Sequence, residues 1–230
     1  MPAEVTLRPL QPADKDRLYA WRNAPEVAAY MYTDHQITPD EHDRWFEGLA
    51  GDPKRDYRII EVDGVPSGPA NFYDIDRVQG RASWAYYLAD PAVRGKGVGG
   101  YVEYAMIERA FGEMGLRKLW CEVLITNEAV WKLHQKFGFQ QEALFRSHVV
   151  KAGVPIDVMG LGLLAQDWAA ARPAMAQRLM RLGYAVDQPH PLIPANGGMS
   201  GLSEQRLRDP FRPEPVAQSR RALRQRPPQA

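Results

Sequence analysis

Arg94-Gly95-Lys96-Gly97-Val98-Gly99 sets two cations among three glycines, just ahead of a stretch with helical character. Glycines remove the Cβ atoms that keep a ligand off the backbone, and the first amides of a helix have no intrahelical acceptor. A turn of this kind feeding a helix is built to hold phosphate. The spacing Arg94-x-x-Gly97-x-Gly99 lacks the terminal Lys-Ser/Thr of the P-loop and the glycine spacing of the dinucleotide fingerprint. Taken alone it is also compatible with an ordinary basic turn. The second segment with chemical content starts at Asn127 and ends at Gly138-Phe139. Asn127 suits a helix cap through its side chain, Gly138 a left-handed helix stop, and Phe139 a core position.

The elements around these motifs follow from hydrophobic period and punctuation. Residues 5–8 read as a short strand and 14–23 as a helix, with 24–37 irregular. Thr38-Pro39-Asp40-Glu41 is a helix start with Thr as cap, Pro in the first turn and a carboxylate three residues on. That helix runs to about residue 49. Residues 57–62 and 66–73 are strands joined by Asp63-Gly64, a hairpin signal, and 81–89 is the next strand. A helix then carries Val98, Val102, Tyr104, Ile107 and Phe111 as core candidates. Residues 118–125 form a strand, 127–137 a helix, and 139–150 and 156–164 the last two strands. The fold class is α/β, a mixed sheet of about seven strands flanked by about four helices.

Three segments are expected: a domain over 1–165, an additional helix over 166–186 weakened or broken by Pro173, and a Pro/Arg-rich disordered tail over 187–230. The last thirty residues hold seven Arg against three acids, so the partner of this basic tail stays open. The formal net charge of the whole chain is +1, which gives no support for bulk nucleic-acid binding. The single cysteine, Cys121, excludes an internal disulfide framework. No apolar run approaches a membrane span and no signal peptide is read at the N-terminus, so a cytoplasmic location is expected.

The glycine loop, the Asn127–Phe139 motif and the element order together resemble the GCN5-related N-acetyltransferase superfamily. The resemblance implies acetyl-CoA as co-substrate, no metal, and a sheet splayed where the donor enters. It implies that Arg94, Gly95, Lys96, Gly97, Val98 and Gly99 hold the pyrophosphate. Asn127 would lie by the pantetheine arm, and a backbone amide at Leu88 or Ala89 would meet the thioester carbonyl. The family's leaving-group acid is usually a Tyr seven residues after the Asn; here that place is His134. With an ordinary pKa near about 6.5, an imidazole can donate that proton. His42 and Glu122 are candidates for a base.

Leu7-Arg8-Pro9-Leu10, Trp21-Arg22-Asn23, Pro25-Glu26-Val27, Met31 and Glu41-His42-x-x-Trp45 resemble a narrower subgroup over residues 5–164. It contains N-acetyltransferases of pseudaminic acid biosynthesis, which acetylate the 4-amino group of UDP-4-amino-4,6-dideoxy-N-acetyl-β-L-altrosamine on the way to flagellin glycosylation. The resemblance implies a UDP-linked amino sugar as acceptor. Arg22 would then pair with phosphate, while Tyr30, Met31, Trp45 or Tyr86 pack the base or methyl group and His42 lies on the lid helix. Two alternatives stand beside it: a protein N-terminal acetyltransferase of the ribosomal-protein-modifying type, and a non-catalytic acyl-CoA-binding module. A homodimer is compatible with the sequence, which carries no direct sign of it.

Overall fold

Two-residue alternation and one tight turn write the N-terminal half of the sheet. In the computed structural model, which describes residues 2–186, β1 (Val5–Pro9) pairs antiparallel with β2 (Asp56–Val62). The tail expected over 187–230 lies outside the described residues. β2 joins β3 (Val65–Asp76) through Asp63-Gly64, whose φ values of 51° and 75° are the left-handed pair a two-residue hairpin needs. β4 (Arg81–Tyr86), β5 (Lys118–Leu124), β6 (Gln140–Lys151) and β7 (Val154–Leu164) complete a seven-stranded sheet ordered β1-β2-β3-β4-β5-β7-β6. All neighbours are antiparallel except β4 and β5. That parallel ladder holds only Arg81 with Lys118, Ala82 with Leu119, and Ser83 with Trp120. This is the mixed sheet expected from the sequence.

The helices are α1 (Lys15–Asn23), α2 (Pro25–Ala28), α3 (Pro39–Glu47), α4 (Val98–Glu108), α5 (Glu128–Lys136) and α6 (Ala165–Arg181). α3 starts with the capping box read from the sequence: Thr38 Oγ1 accepts from Glu41 N at 3.3 Å, and Glu41 Oε2 accepts from Thr38 N at 2.8 Å. α2 is a single turn within the stretch expected to be irregular, started by Pro25. α4 runs on into a π-helical turn, Arg109–Glu113. Phe72, Trp84, Met106, Ile107, Leu119 and Leu163 form the centre of the core, between the sheet and the C-terminal helices.

Of the two outcomes expected for Pro173, a break does not occur: α6 runs through it. A proline inside a helix loses one N–H bond and crowds the preceding turn. Here both sides of it are anchored. Trp168, Ala176 and Leu179 are buried on one face, and Glu108 of α4 accepts from Trp168 Nε1 at 2.7 Å and from Arg172 Nε and Nη2 at 2.9 and 3.0 Å. Docking against α4 outweighs the local penalty.

Candidate active site

The glycine loop presents a row of amides. Gly95 and Gly97 take φ values of 78° and 83°, which turn successive N–H groups outward. The Arg94 amide is bonded to Pro91 O and the Tyr101 amide to Gly97 O. The amides from Gly95 to Gly100 between them have no partner among the described residues. This is the cradle a pyrophosphate requires, at the start of α4. Arg94 Nη2 donates to Leu88 O at 2.9 Å, which ties the loop to the end of the strand before it. From behind, Tyr184 donates its hydroxyl to Lys96 O at 2.9 Å and stacks on Tyr101.

The strand end beside the loop offers one further donor. Tyr87 N bonds Pro69 O and Ala89 N bonds Ser67 O at 2.8 Å, so both amides face β3. The Leu88 amide points the other way, across the gap where β4 and β5 no longer pair, and has no partner among the described residues. Of the two amides considered from sequence, Ala89 is therefore engaged and Leu88 is free. Gly68 makes this arrangement possible, because a Cβ there would collide with the Tyr87 carbonyl. Asn127 sits at the N-terminus of α5 but, against the sequence expectation, makes no side-chain cap. Its carbonyl takes the Val130 and Trp131 amides instead, and its carboxamide has no hydrogen bond among the described residues.

His134 lies under the sheet, 5 % exposed, between Trp84 and Phe139. Its Nδ1 is 2.8 Å from Glu103 Oε1, and Glu103 is fully buried on α4. Burial opposes charge on this imidazole, but the Glu103 carboxylate, with the Cys121 thiol alongside, outweighs burial and holds its pKa up to about 10. The Tyr86 hydroxyl donates to Gly99 O at 3.1 Å and to Glu103 Oε2 at 3.3 Å. Burial, reinforced by the Glu103 charge, pushes that phenol well above its ordinary range. The sequence reading missed Glu103. Its signal was present: a lone carboxylate inside the apolar run from Val98 to Ile107.

On the opposite face of β2–β4 a pocket of about 570 Å³ opens beneath α1, α3 and the loop between α2 and α3. Arg22, Met31, His42, Trp45 and Tyr86 border it; Tyr30 does not, and is exposed. His42 is buried, with Nε2 2.8 Å from Lys15 O and its ring against Tyr19, Trp45 and Phe46. Glu122, the other base candidate, accepts from the Tyr32 hydroxyl at 2.6 Å. The sequence reading also missed the sheet-borne lining: Tyr57, Asn71, Tyr73 and Tyr87. They alternate with core residues along their strands, so period two was the available signal.

Arg22 carries the pocket's electrostatics. Its Nη2 donates to Thr33 Oγ1 at 2.7 Å, and no carboxylate pairs with it among the described residues. Burial lowers its pKa, while Tyr87 and Tyr57 act the other way. The other basic side chains of the lining have partners: Arg55 pairs with Asp52, His35 Nε2 lies 3.2 Å from Glu41 Oε1, and His42 Nε2 lies on Lys15 O. Among the described residues no cluster of His, Cys, Asp or Glu is arranged to hold a metal ion, and no helix is long and apolar enough to cross a membrane.

Comparison with known proteins identifies the family and the fold. YwnH of Bacillus subtilis (strain 168), provisionally named a phosphinothricin acetyltransferase, is 26 % identical over 165 residues, covering 69 % of this chain and 98 % of that protein. A spermidine N-acetyltransferase from Vibrio cholerae, solved with CoA and spermine, superposes with a TM-score of 0.67 at 19 % identity, covering 72 % of this chain and 98 % of the other. A solved protein provisionally described as a phosphinothricin N-acetyltransferase gives 0.61 at 26 % identity, covering 70 % and 98 %. The family model describing the acetyltransferase (GNAT) domain matches residues 4–140. The chain belongs to that family and is an acetyltransferase with acetyl-CoA as its donor.

Proposed function

We propose that the chain is an N-acetyltransferase whose acceptor is a small amine that also carries an anionic group, bound in the pocket over β2–β4 with that group on Arg22. One observation carries the reading: a part-buried guanidinium bordering an aromatic pocket, with only a hydroxyl for company. Such a cation is costly unless a ligand charge completes it, and a guanidinium fork suits a carboxylate or phosphate. A polyamine would bring further positive charge to the same place. The UDP-linked 4-amino-4,6-dideoxy sugar implied by the sequence resemblance satisfies this requirement through its diphosphate. A phosphinothricin-like amino acid satisfies it too, and the similarity to YwnH favours that second reading.

In this reading the loop amides from Gly95 to Gly100 hold the donor's pyrophosphate, and Asn127 meets the pantetheine arm. The Leu88 N–H faces the thioester oxygen as it gains charge, which is the place where a preorganised donor lowers the barrier. The amine attacks from the pocket side, and His134 gives a proton to the departing sulfur from beneath the sheet. Acetylation assays with the 4-amino UDP-sugar, phosphinothricin and spermidine test the acceptor. Turnover of either anionic acceptor, with at least about tenfold loss in kcat/KM in R22Q, supports the reading, since a charge-assisted contact is worth about 1.5–3 kcal/mol. Preference for spermidine, unaffected by R22Q, would refute it.

A further inference from the structure

Glu103 sits in the middle of α4 with no exposure to solvent. A carboxylate in such a place is tolerated only when it is paired and hydrogen-bonded. Its oxygens have two takers, the His134 imidazole at 2.8 Å and the Tyr86 hydroxyl at 3.3 Å. The titratable groups facing His134 are thus Glu103 from α4 and the Cys121 thiol from β5, with Tyr86 of β4 reaching it through Glu103; Trp84 and Phe139 enclose the rest of the ring. A carboxylate accepts only from a protonated nitrogen, so the contact fixes Nδ1–H toward Glu103 and leaves Nε2, with the Cys121 thiol beside the ring, as the nitrogen open to a further partner. Trp84 and Cys121 lie one residue beyond Ser83 and Trp120, where pairing of β4 with β5 ends. His134 is therefore held directly under the mouth of the gap.

We propose that Glu103 is a positioning residue for the acid step: it keeps His134 as an imidazolium oriented so that Nε2–H is the proton given to the CoA sulfur. The inference rests on the role of His134 stated above. As the amine nitrogen forms the new C–N bond, the C–S bond breaks and its electron pair goes to sulfur. The Nε2 proton follows to sulfur, giving the free thiol. The nitrogen of the new amide loses one proton to solvent, and neutral His134 regains one from solvent, so the balance closes. The Glu103 contact is kept throughout, and it favours the imidazolium as the resting form in a place where burial alone would make it neutral.

Two measurements test this. In unaltered protein labelled at histidine, NMR titration of the imidazoles is expected to show His134 protonated through neutral pH, losing its proton near about 10 while an ordinary imidazole titrates near about 6.5. The resonance is assigned by its absence in H134F. A neutral His134 at pH 7 overturns the proposal, and this measurement decides even if a Glu103 variant does not fold. In E103Q, the alkaline limb of the kcat profile is expected to move down by about two pH units or more, with about tenfold loss of kcat at pH 8 and little change in KM for acetyl-CoA. E103D restores part of the limb. If E103Q keeps the wild-type profile while H134F loses turnover, Glu103 has no such role although His134 does. If H134F turns over normally with intact acetyl-CoA affinity, the reading of His134 itself fails.

Discussion

Gly97→Ala tests whether the loop is a preformed cradle. Gly97 caps α4 with φ at 83°, a left-handed conformation that costs a residue with a Cβ about 1–2 kcal/mol. The added methyl would also lie 2.8 Å from Leu182 Cδ1 and 3.1 Å from Tyr184 Cε2. Leu182 Cδ1 is the loose end of a half-exposed side chain and can swing away. Tyr184 cannot yield as easily, being stacked on Tyr101 and bonded to Lys96 O. Adding roughly 1 kcal/mol for that crowding gives about 2–3 kcal/mol in all. If the loop stays in place, this strain appears as a fall in Tm of about 4–12 °C. If the loop relaxes by turning its amides, the same energy appears as weaker acetyl-CoA binding, about 30- to 150-fold at most. Calorimetric titration with acetyl-CoA and thermal melts, read together, recover the sum. The double variant G97A/L182A removes the yielding contact and should regain less than half of the loss, because the backbone term dominates. A G97A protein that melts and binds acetyl-CoA like the wild type would falsify the idea of a preformed cradle.

Other outcomes follow from single contacts. Arg22→Gln should raise KM for an anionic acceptor about tenfold or more while leaving KM for acetyl-CoA unchanged, as steady-state kinetics with each substrate varied would show. Glu108→Gln weakens the joint between α4 and α6, where Trp168 and Arg172 both donate to it, and should cost about 1–3 kcal/mol in denaturant unfolding. Asp14 is held below the usual carboxylate range chiefly by its hydrogen bonds to Arg8, so its stabilising effect is complete above about pH 4 and fades as pH falls. Asp14→Asn should therefore unfold more easily at pH 7, with the difference from wild type closing as pH falls below about 4.

Local chemistry was readable wherever a short segment decides its own shape. Thr38-Pro39-x-Glu41 and Asp63-Gly64 each specify a cap or a turn within four residues, and both form as read. The glycine loop was legible for the same reason, since its conformation needs glycine whatever surrounds it. Pro173 does not interrupt the helix because its local penalty is outweighed by Glu108, a residue far away in the chain. Asn127 misled in a similar way: its type suits a cap, yet its side chain makes none. The pocket was half visible. Arg22, Met31, His42 and Trp45 came from the N-terminal resemblance, whereas for Tyr57, Asn71 and Tyr87 strand alternation marks at most a face, and it is sheet register that brings them to one pocket. Tyr30 and Met31 lie in the turn after α2, where no period says which faces inward; the structure chooses Met31.

The short ladder between β4 and β5 has a consequence outside catalysis. The hydrogen-bonded seam between these two strands at the middle of the sheet is short: three residue pairs, one bond from Ser83 Oγ to Trp120 O, and the Arg117 and Lys118 amides on Gly80 O at its start. An extended amide-bearing chain lying in the gap would act as the missing length of strand, and a donor bound as proposed would then also stitch the two halves of the sheet together. Binding of that kind adds about 2.7 kcal/mol of resistance to unfolding when the ligand stands at a hundred times its dissociation constant. The working life of the protein should then rise and fall with the supply of the molecule it consumes. Without the donor, amide exchange along β4 and β5 is expected to be faster than with it, which hydrogen exchange with and without acetyl-CoA would measure.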